Sequence, residues 1–407
     1  MSSSMRKNVL LNYFFIFGMI VNLFVPVIPL QGVYFYPVYF FSLVVFIIWF
    51  YNSSISEEPF IISKKIYYPS IIIFFMSCSF FFPILNFNTN IYLDYFFYEL
   101  VLYLIMIPFF LMFNHLIINE KQINTVVLFS FGVFIIVGIL QWIGFEKAVT
   151  LYAFEDHIEA ALDGSRLVIT GSDPNVGSII CSFFVLYFFS SFIIKKSFLY
   201  FLMMLFSVAL LFKTQGRTTI IGTGFVFFAY LIFFAKIKII YRIFLILLIP
   251  LTVLYFSSFF DLFYLVEGLS DLGEGSNMSV NVRFENVYYA FDNFRLSPVF
   301  GWGSALEHQG TVRNIDSELF LILQRYGLFG FLVIFSIIFR LLKIGFKYRS
   351  VKLGSFVFLM TFSLIFNMLT NTVFFGAQTV SIIVFLIFLT YFLEHNEKNN
   401  IPPSITN

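Results

Sequence analysis

The sequence predicts an all-α integral membrane protein of about 12 transmembrane helices, with a large extracytoplasmic loop that carries short amphipathic helices. Three observations support this prediction. The chain of 407 residues is 60% hydrophobic and only 11% charged. Its mean hydropathy of +0.93 is too high for a soluble domain of this length. The apolar residues also fall into runs of about 20, the length of a helix that crosses a bilayer, and backbone groups inside lipid are satisfied within helices.

The apolar runs place the predicted spans at 8–25, 33–51, 67–85, 94–118, 124–144, 174–194, 197–213, 218–235, 240–259, 316–340, 354–371 and 374–393. We expect residues 1–395 to form a single polytopic membrane domain, followed by a cytoplasmic tail, 396–407. Two polar connections, 145–173 and 260–315, are expected to be extracytoplasmic loops, and the second is the larger.

Basic residues orient these spans, because Lys and Arg are enriched in cytoplasmic loops. One side of the predicted topology receives Arg6, Lys7, Lys64, Lys65, Lys121, Lys195, Lys196, Lys236, Lys238, Arg242, Arg340, Lys343, Lys347, Arg349 and Lys352. That side is predicted to be the cytoplasm, with both termini inside. The opposite side receives Arg166, Arg217, Arg283, Arg295, Arg313 and Arg325. Positive charge is normally depleted from translocated loops, so these arginines call for an explanation. Binding of a phosphorylated, lipid-linked substrate is one such explanation. The net charge of +2, with no basic run, gives no reason to expect nucleic acid as a partner.

The first extracytoplasmic loop ends in a motif that runs from Arg166 to Gly177. Asp173 followed by Pro174 is typical of a helix start, with Asp173 as the cap and Pro174 in the first turn. Asp173 and Asn175 are therefore explained by a loop that ends in a capped helix. No comparable structural role explains the presence of Arg166, although Asp163 and Glu159 are available to pair with it.

A second motif, Thr214–Thr219, forms a very short turn between two spans and places Arg217 at the outer membrane boundary. Its side chain can reach lipid headgroups, or its planar fork can bind a phosphate with two hydrogen bonds.

The third motif lies in the larger loop. Residues 281–294 carry apolar side chains at helical spacing, which predicts a short amphipathic helix at the membrane surface that includes Arg283. Arg295 and the turn Ser297–Gly303 follow, and the glycines of that turn would bring backbone close to a substrate.

The fourth motif leads into the tenth predicted span. Asp316 and Glu318 stand at a helix start, where the helix dipole favours carboxylates, but either can also serve as a general base. His308 competes for that role, and Arg313 lies between them in the sequence. Gly327 and Gly330 would permit close helix packing.

Taken in order, these motifs resemble the O-antigen polymerase and O-antigen ligase superfamily of bacterial surface polysaccharide assembly. The matching elements are the Arg166 loop with its Asp-Pro-Asn, the Gly-Arg217-Thr turn, the segment Ser297–Gly303 after a helix with Arg283, and the segment Asp316–Gly330. Arg166, ten residues and Gly177 also look like the arginine motif of polymerase outer loops. Ligases typically carry a His-Asn pair where Asp316-Ser317 stands, which favours a polymerase.

The resemblance implies transfer of a growing glycan from a polyprenyl pyrophosphate carrier to a sugar hydroxyl of another lipid-linked repeat unit, in the bacterial cytoplasmic membrane. Pyrophosphate binding is then expected at Arg166, Arg217 and Arg283, and proton abstraction at Asp316, His308 or Glu318, in that order. Arg295, Arg313, Asp173 and Asn175 are candidates for glycan binding.

No metal or cofactor is expected, since the sequence contains neither a metal-ligand spacing of His and Cys nor a phosphate-binding glycine loop. Membrane lipids, a chain-length regulator and a flippase are the other expected partners. Two alternatives stay open at this stage: a ligase that transfers finished polymer to a different acceptor, and a flippase for lipid-linked sugars. A flippase should carry charge in the middle of its spans, whereas here the polar residues concentrate in two outer loops.

Overall fold

The computed structural model describes residues 9–30, 33–55, 100–101, 104, 106–113, 116–233, 240, 243, 278–303, 315 and 317–398. Over these residues the protein is helical apart from one short antiparallel hairpin, β1 (Ile28–Leu30) and β2 (Val33–Phe35). The helices are α1 (Val9–Ile20), α2 (Pro37–Ile55), α3 (Met106–Met112), α4 (Glu120–Trp142), α5 (Glu146–Tyr152), α6 (Ile158–Leu162), α7 (Pro174–Lys195), α8 (Phe198–Lys213), α9 (Arg217–Phe233), α10 (Met278–Leu296), α11 (Glu318–Lys347), α12 (Lys352–Asn367) and α13 (Ala377–Lys398). Short 3-10 turns cover Val21–Leu23 and Glu155–His157.

The prediction of an all-α membrane protein is confirmed at this level. Four helices in the described part of the chain are long and apolar enough to cross a membrane, namely α4, α7, α11 and most of α13, and several shorter apolar helices accompany them. The predicted span 67–85, most of 240–259 and part of 94–118 lie outside the described residues. The count of twelve spans is therefore not confirmed.

Local sequence explains where the central helices begin. Asn119 and Gln122 form a capping box at the start of α4, in which each side chain accepts the other's backbone amide at 2.9 Å. Asp173 caps α7, and Pro174 occupies its first turn, as the sequence predicts.

Helix α7 lies at the centre of the bundle, in contact with α8, α9, α12 and α13. Most of its side chains are buried, and its aromatic rings pack against those of its neighbours. The ring of Phe183 lies 5.1 Å from that of Phe356 in α12, and the ring of Phe184 lies 4.6 Å from that of Phe134 in α4. Each such pair contributes about 0.5–1.5 kcal/mol beyond the area it buries.

A row of buried hydroxyl groups joins α7 to α9 and α12. Ser178 donates to Thr219 at 2.7 Å, and Ser182 lies 2.8 Å from Thr223 and 3.0 Å from Ser363. Small residues let helix backbones approach, and hydrogen bonds between helices hold them in register inside a membrane. These bonds fix the first turn of α9 relative to the start of α7.

Three lysines from different helices meet at one end of the bundle. At one end the buried ammonium of Lys352, the first residue of α12, donates to the Tyr187 hydroxyl at 2.9 Å and to the side chain of Asn124. These contacts bring the start of α4, the end of α7 and the start of α12 together. Lys121, Lys195 and Lys352 therefore share one end of the bundle, as the sequence predicts for a common side. The opposite end carries the connection between α4 and α7.

Candidate functional site

The connection between α4 and α7 folds back over the end of the bundle. Two hydroxyl groups attach it to the chain just after α1, at the end of the 3-10 turn: Thr170 donates to the carbonyl of Leu23 at 2.7 Å, and Tyr152 donates to the carbonyl of Phe24 at 2.8 Å. Burial raises the pKa of Tyr152 to about 12, so this hydroxyl stays protonated and available as a donor.

The buried part of this connection is held by one amide side chain. Ile169 has a φ of 53°, a left-handed conformation that is costly for a β-branched residue. Gln141 of α4, which is fully buried, accepts from the Ile169 amide at 2.7 Å and donates to the Ile169 carbonyl at 2.8 Å. It also donates to the carbonyl of Ala148 at 3.1 Å. The bonds to Gln141 compensate for the strained backbone and anchor the loop.

Two glycines explain the spacing of the arginine motif. A Cβ on Gly177 would lie 2.3 Å from the carbonyl oxygen of Val168, and a Cβ on Gly171 would lie 2.3 Å from the amide nitrogen of Gly177. Both positions therefore need glycine, because the loop runs directly against the first turn of α7. The chain doubles back between Arg166 and Gly177, and this returns the Arg166 side chain to the start of α7.

Arg166 connects two elements at this end of the bundle. Its Nη2 donates to Oδ1 of Asn175 in α7 at 3.2 Å, and its Nε donates to the carbonyl of Thr214, between α8 and α9, at 3.3 Å. Both acceptors are uncharged, so these two bonds orient the guanidinium without removing its charge. Asp173 accepts from the amides of Asn175 and Val176 at 2.7 and 3.1 Å, which confirms its predicted capping role.

Asp163, which the sequence offered as a pairing partner for Arg166, has a local role. Its Oδ1 accepts from the amide of Ser165 at 2.8 Å. Hydrogen bonds from the Ser165 side chain and backbone lower the pKa of this exposed carboxyl.

The turn between α8 and α9 lies next to the Arg166 contact. Gln215 has a φ of 54°, and a Cβ on Gly216 would lie 2.4 Å from Oγ of Ser178 in α7. The turn is therefore tight and packed against α7, as the short connection predicts. Arg217 is exposed and is the first helical residue of α9. A cation is unfavourable at a helix N-terminus, but the helix dipole and a cation there both attract an anion.

Helix α11 is broken at Gly327, whose φ of 62° and ψ of −162° are accessible only to glycine. The segment Ser297–Gly303 fits against the break. Its amides donate to the carbonyls of Gln324 and Arg325 at 2.7 and 2.8 Å, and its carbonyls accept the two amides that follow Gly327 at 2.8 and 3.0 Å. The sequence predicted a turn that brings backbone close to a substrate. The structure instead places that backbone against α11, where it satisfies the groups that the break exposes.

The predicted helix within 281–294 is present as α10, but its packing differs from the expectation. Among residues 285–296, where burial is described, the buried positions are Asn286, Ala290 and Asn293, and the helix packs against α11. Tyr288 and Phe291 are 70% and 39% exposed, whereas Tyr289 packs against the core. The small Ala290 side chain allows the close approach.

The arginines of this region have different surroundings. Arg295 pairs with Asp292 at 3.5 Å and lies 4.8 Å from the centroid of the Phe291 ring. Such exposed pairs are worth about 0–1 kcal/mol, and the Arg295 side chain stays 67% exposed, so its role in glycan binding stays a prediction. Arg283 belongs to α10, but its side chain is outside the described part of the structure. His308, Arg313 and Asp316 also lie outside the described residues.

Glu318 occupies a different environment from the one expected for a base. It is fully buried at the start of α11, and its Oε1 accepts the backbone amides of Val373 and Phe375 at 2.9 and 3.1 Å and that of Phe374. These amides belong to the connection between α12 and α13. Neither this connection nor Gln141 was singled out from the sequence, because no local pattern marks residues that bond to distant backbone.

Arg166, Arg217 and the N-termini of α7 and α9 therefore lie at the same end of the bundle. Residues 201–335 match the family model described as O-Antigen ligase. The match confirms the resemblance to the O-antigen polymerase and ligase superfamily. No curated protein matches the sequence.

The O-antigen ligase match covers roughly a third of the chain. It begins in α8 and ends in α11, so it includes the turn with Arg217, helix α10 and the break at Gly327. The Arg166 loop lies outside the matched residues, and its Arg166 side chain contacts them through the hydrogen bond to the Thr214 carbonyl. The match implies a membrane enzyme of glycosyltransferase type in bacterial O-antigen assembly, and it does not distinguish a ligase from a polymerase.

Proposed function

We propose that this protein polymerises lipid-linked oligosaccharide repeat units of the O-antigen or capsule type. The growing glycan would move from its polyprenyl pyrophosphate carrier to a sugar hydroxyl of another lipid-linked unit. The observation that carries the proposal is the junction of the Arg166 loop with the α8–α9 turn. There the Arg166 guanidinium bonds to Thr214, three residues before Arg217.

The reaction forms a bond between the hydroxyl oxygen of the acceptor sugar and the anomeric carbon of the donor. The bond from that carbon to the pyrophosphate oxygen breaks, and the pyrophosphate leaves with the electron pair. Arg166 and Arg217, with Arg283 as the third candidate, would stabilise the developing negative charge without a metal ion, because preorganised cations act most strongly where charge appears. Attack from the face opposite the leaving group would invert the anomeric configuration.

The acceptor hydroxyl must also lose a proton. Asp316 is our first candidate for the base and His308 the second. Glu318 is left out of this role, because its buried carboxylate is occupied by three backbone amides. Arg295, Arg313, Asp173 and Asn175 remain candidates for glycan contacts.

The proposed setting is the bacterial cytoplasmic membrane, with both termini in the cytoplasm and the arginine-bearing end of the bundle facing outward. The shared end of Lys121, Lys195 and Lys352 supports this orientation, because lysine is enriched on the cytoplasmic side. Polyprenyl-pyrophosphate-linked oligosaccharide would be the substrate, and a flippase and a chain-length regulator would act beside the enzyme.

The test uses the purified protein in lipid nanodiscs with a polyprenyl-pyrophosphate-linked repeat unit. We expect a ladder of products that differ by one repeat unit. Arg166→Lys and Arg217→Lys should each lower kcat on the order of 100-fold, because a point charge cannot replace a planar two-bond fork at the transition state.

Arg340→Lys is the matched control, since Arg340 is exposed at the lysine-bearing end and pairs with Glu394 at 3.2 Å. It should retain wild-type rates. Wild-type ladders from both Arg166→Lys and Arg217→Lys would refute the pyrophosphate assignment, and a folded wild-type protein that leaves the repeat unit unchanged would refute the polymerase.

A ligase is the second candidate, because the matching family model carries that description. Both enzymes would share the pyrophosphate site and differ in acceptor. Supplying the same donor with a lipid A-core acceptor separates them. A ladder on the polyprenyl carrier indicates a polymerase, and a single transfer to lipid A-core indicates a ligase.

A further inference from the structure

A buried carboxylate binds three amides in the connection between α12 and α13, residues 368–376. Glu318 is 0% exposed, and its Oε1 lies within a nest of three consecutive amides, those of residues 373–375. Within the described residues, the buried Oε2 has no hydrogen-bond partner. The carboxylate thus accepts hydrogen bonds from a segment more than 50 residues away in sequence rather than from the amides of its own helix.

The role of general base, which the sequence suggested for Glu318, does not fit this geometry. A general base must come within hydrogen-bond reach of the substrate hydroxyl. The Glu318 carboxylate is 0% exposed, so a substrate hydroxyl could reach it only if the residues around it moved.

The segment that Glu318 holds also contacts the Arg217 element. Thr370 Oγ1 donates to Thr218 Oγ1 at 2.7 Å, and Thr218 is the residue next to Arg217. Asn371, also in the connection, donates to Asn367 at 3.3 Å. Asn367 is the last residue of α12, and it also accepts a hydrogen bond from Thr219 in the first turn of α9. Two successive residues at the start of α9 are therefore attached to this region: Thr218 to the connection itself, and Thr219 to the last residue of α12.

The same region contacts two other arginine-bearing elements. Gln378, just after the connection, accepts from the Ser172 hydroxyl at 3.0 Å and donates to the Thr170 carbonyl at 3.3 Å, in the loop that carries Arg166. Phe375, one of the residues bonded to Glu318, lies 5.7 Å from the Arg325 guanidinium. The connection thus touches the elements that carry Arg217 and Arg325, and the first turn of α13 touches the loop that carries Arg166.

We propose that Glu318 is a positioning residue: by fixing the α12–α13 connection, it sets the arrangement of the arginine-bearing elements that bind the pyrophosphate. The proposal rests on the proposed function for what the arginines bind. Loss of Glu318 should let the connection move away from α9 and weaken substrate binding.

The first experiment measures position without any activity. Thr218→Cys and Thr370→Cys replace two oxygen atoms that lie 2.7 Å apart, so a disulfide, with an S–S bond of about 2.05 Å, should form on mild oxidation. Mass spectrometry of linked peptides reports the yield, and nanodisc samples of the full chain are compared with and without Glu318→Ala. We expect high yield in the parent and at least a fivefold lower yield with Glu318→Ala. Equal yields would overturn the proposal.

The second experiment separates positioning from catalysis. Glu318→Ala should raise KM for the lipid-linked repeat unit about tenfold or more and lower kcat less. Oxidation of the Thr218→Cys/Thr370→Cys pair in the Glu318→Ala background should restore KM to within about threefold of the parent. A kcat that stays low after cross-linking would contradict the proposal, because a missing base cannot be replaced by a tether.

Glu318→Gln keeps one oxygen in the nest of amides. It is the variant to use if the Glu318→Ala protein does not insert into the membrane. It should show an intermediate cross-linking yield and an intermediate KM; a yield equal to that of the parent together with a large loss of kcat would overturn the proposal. If the wild-type protein makes no ladder, the proposed function fails, whereas the cross-linking comparison still decides whether Glu318 fixes this segment.

Discussion

At the scale of single residues, one buried amide supports the loop that carries Arg166. Gln141 makes three hydrogen bonds to backbone groups of residues 148 and 169, and two of them secure Ile169 in its left-handed conformation. A buried backbone group that loses its partner costs about 1–3 kcal/mol. This side chain therefore contributes to the stability of the protein and to the placement of Arg166.

Gln141→Leu should lower the stability of the protein, because it leaves the amide and carbonyl of Ile169 and the carbonyl of Ala148 without these bonds. We expect a decrease of about 2–4 kcal/mol and a lower Tm in detergent. Thr150→Ala on the neighbouring α5 is the control, since that hydroxyl is exposed and bonds only to its own helix. A Tm equal to that of the control would show that Gln141 does not secure the loop.

At the scale of elements, α11 consists of two helical pieces separated at Gly327. A break within an apolar helix leaves carbonyls and amides that lipid cannot satisfy. The segment Ser297–Gly303 supplies partners for both sides of the break. Helix α10 and α11 are thereby joined into one unit, which explains why the Gly-rich turn and the Gly327 position occur together in this sequence.

Gly327→Ala should disrupt this unit. A Cβ there would lie 2.5 Å from the carbonyl oxygen of Val299, and alanine does not tolerate the backbone conformation. We expect a loss of about 2–5 kcal/mol, measured as a lower Tm.

Gly132→Ala in α4 is the matched control, because a Cβ at that exposed position meets nothing within 4 Å. It should be neutral or stabilise by up to about 1 kcal/mol. Equal Tm values for the two variants would contradict the role assigned to the break.

At the scale of the whole molecule, the bundle has a lysine-bearing end and an arginine-bearing end. Lys352 brings the starts of α4 and α12 and the end of α7 together. Arg166 and its partners lie where α7 begins and α8 ends. The proposed enzyme needs the second end to face the substrate outside the cell.

Cysteine labelling tests that orientation. In a chain without its native cysteines, Asp163→Cys lies in the exposed loop near Arg166, and Lys195→Cys lies exposed at the end of α7. A membrane-impermeant maleimide added to intact spheroplasts should label the first and spare the second. Permeabilised membranes, in which both should react, provide the control. The reverse pattern would place the arginines in the cytoplasm and refute the proposed topology.

The sequence alone determined the helical membrane class, the positions of several helices and the start of α7. These features depend on neighbouring residues: apolar runs specify burial or lipid contact, and Asp173 with Pro174 specifies a cap. The order of the motifs also indicated the superfamily. The sequence predicted helix α10 but not which of its sides faces the protein, since Asn286 and Asn293 are buried there while Tyr288 is exposed.

Only the tertiary structure decided what Glu318 and Gln378 do. Gln378 bonds to residues more than 200 positions earlier in the chain, and Glu318 bonds to a segment in another connection. A carboxylate at a helix start follows the same local pattern whether it caps, abstracts a proton or secures a distant loop. The choice among these roles depends on which backbone amides folding brings to the carboxylate. Local sequence does not specify these contacts, because the amides belong to a distant part of the chain.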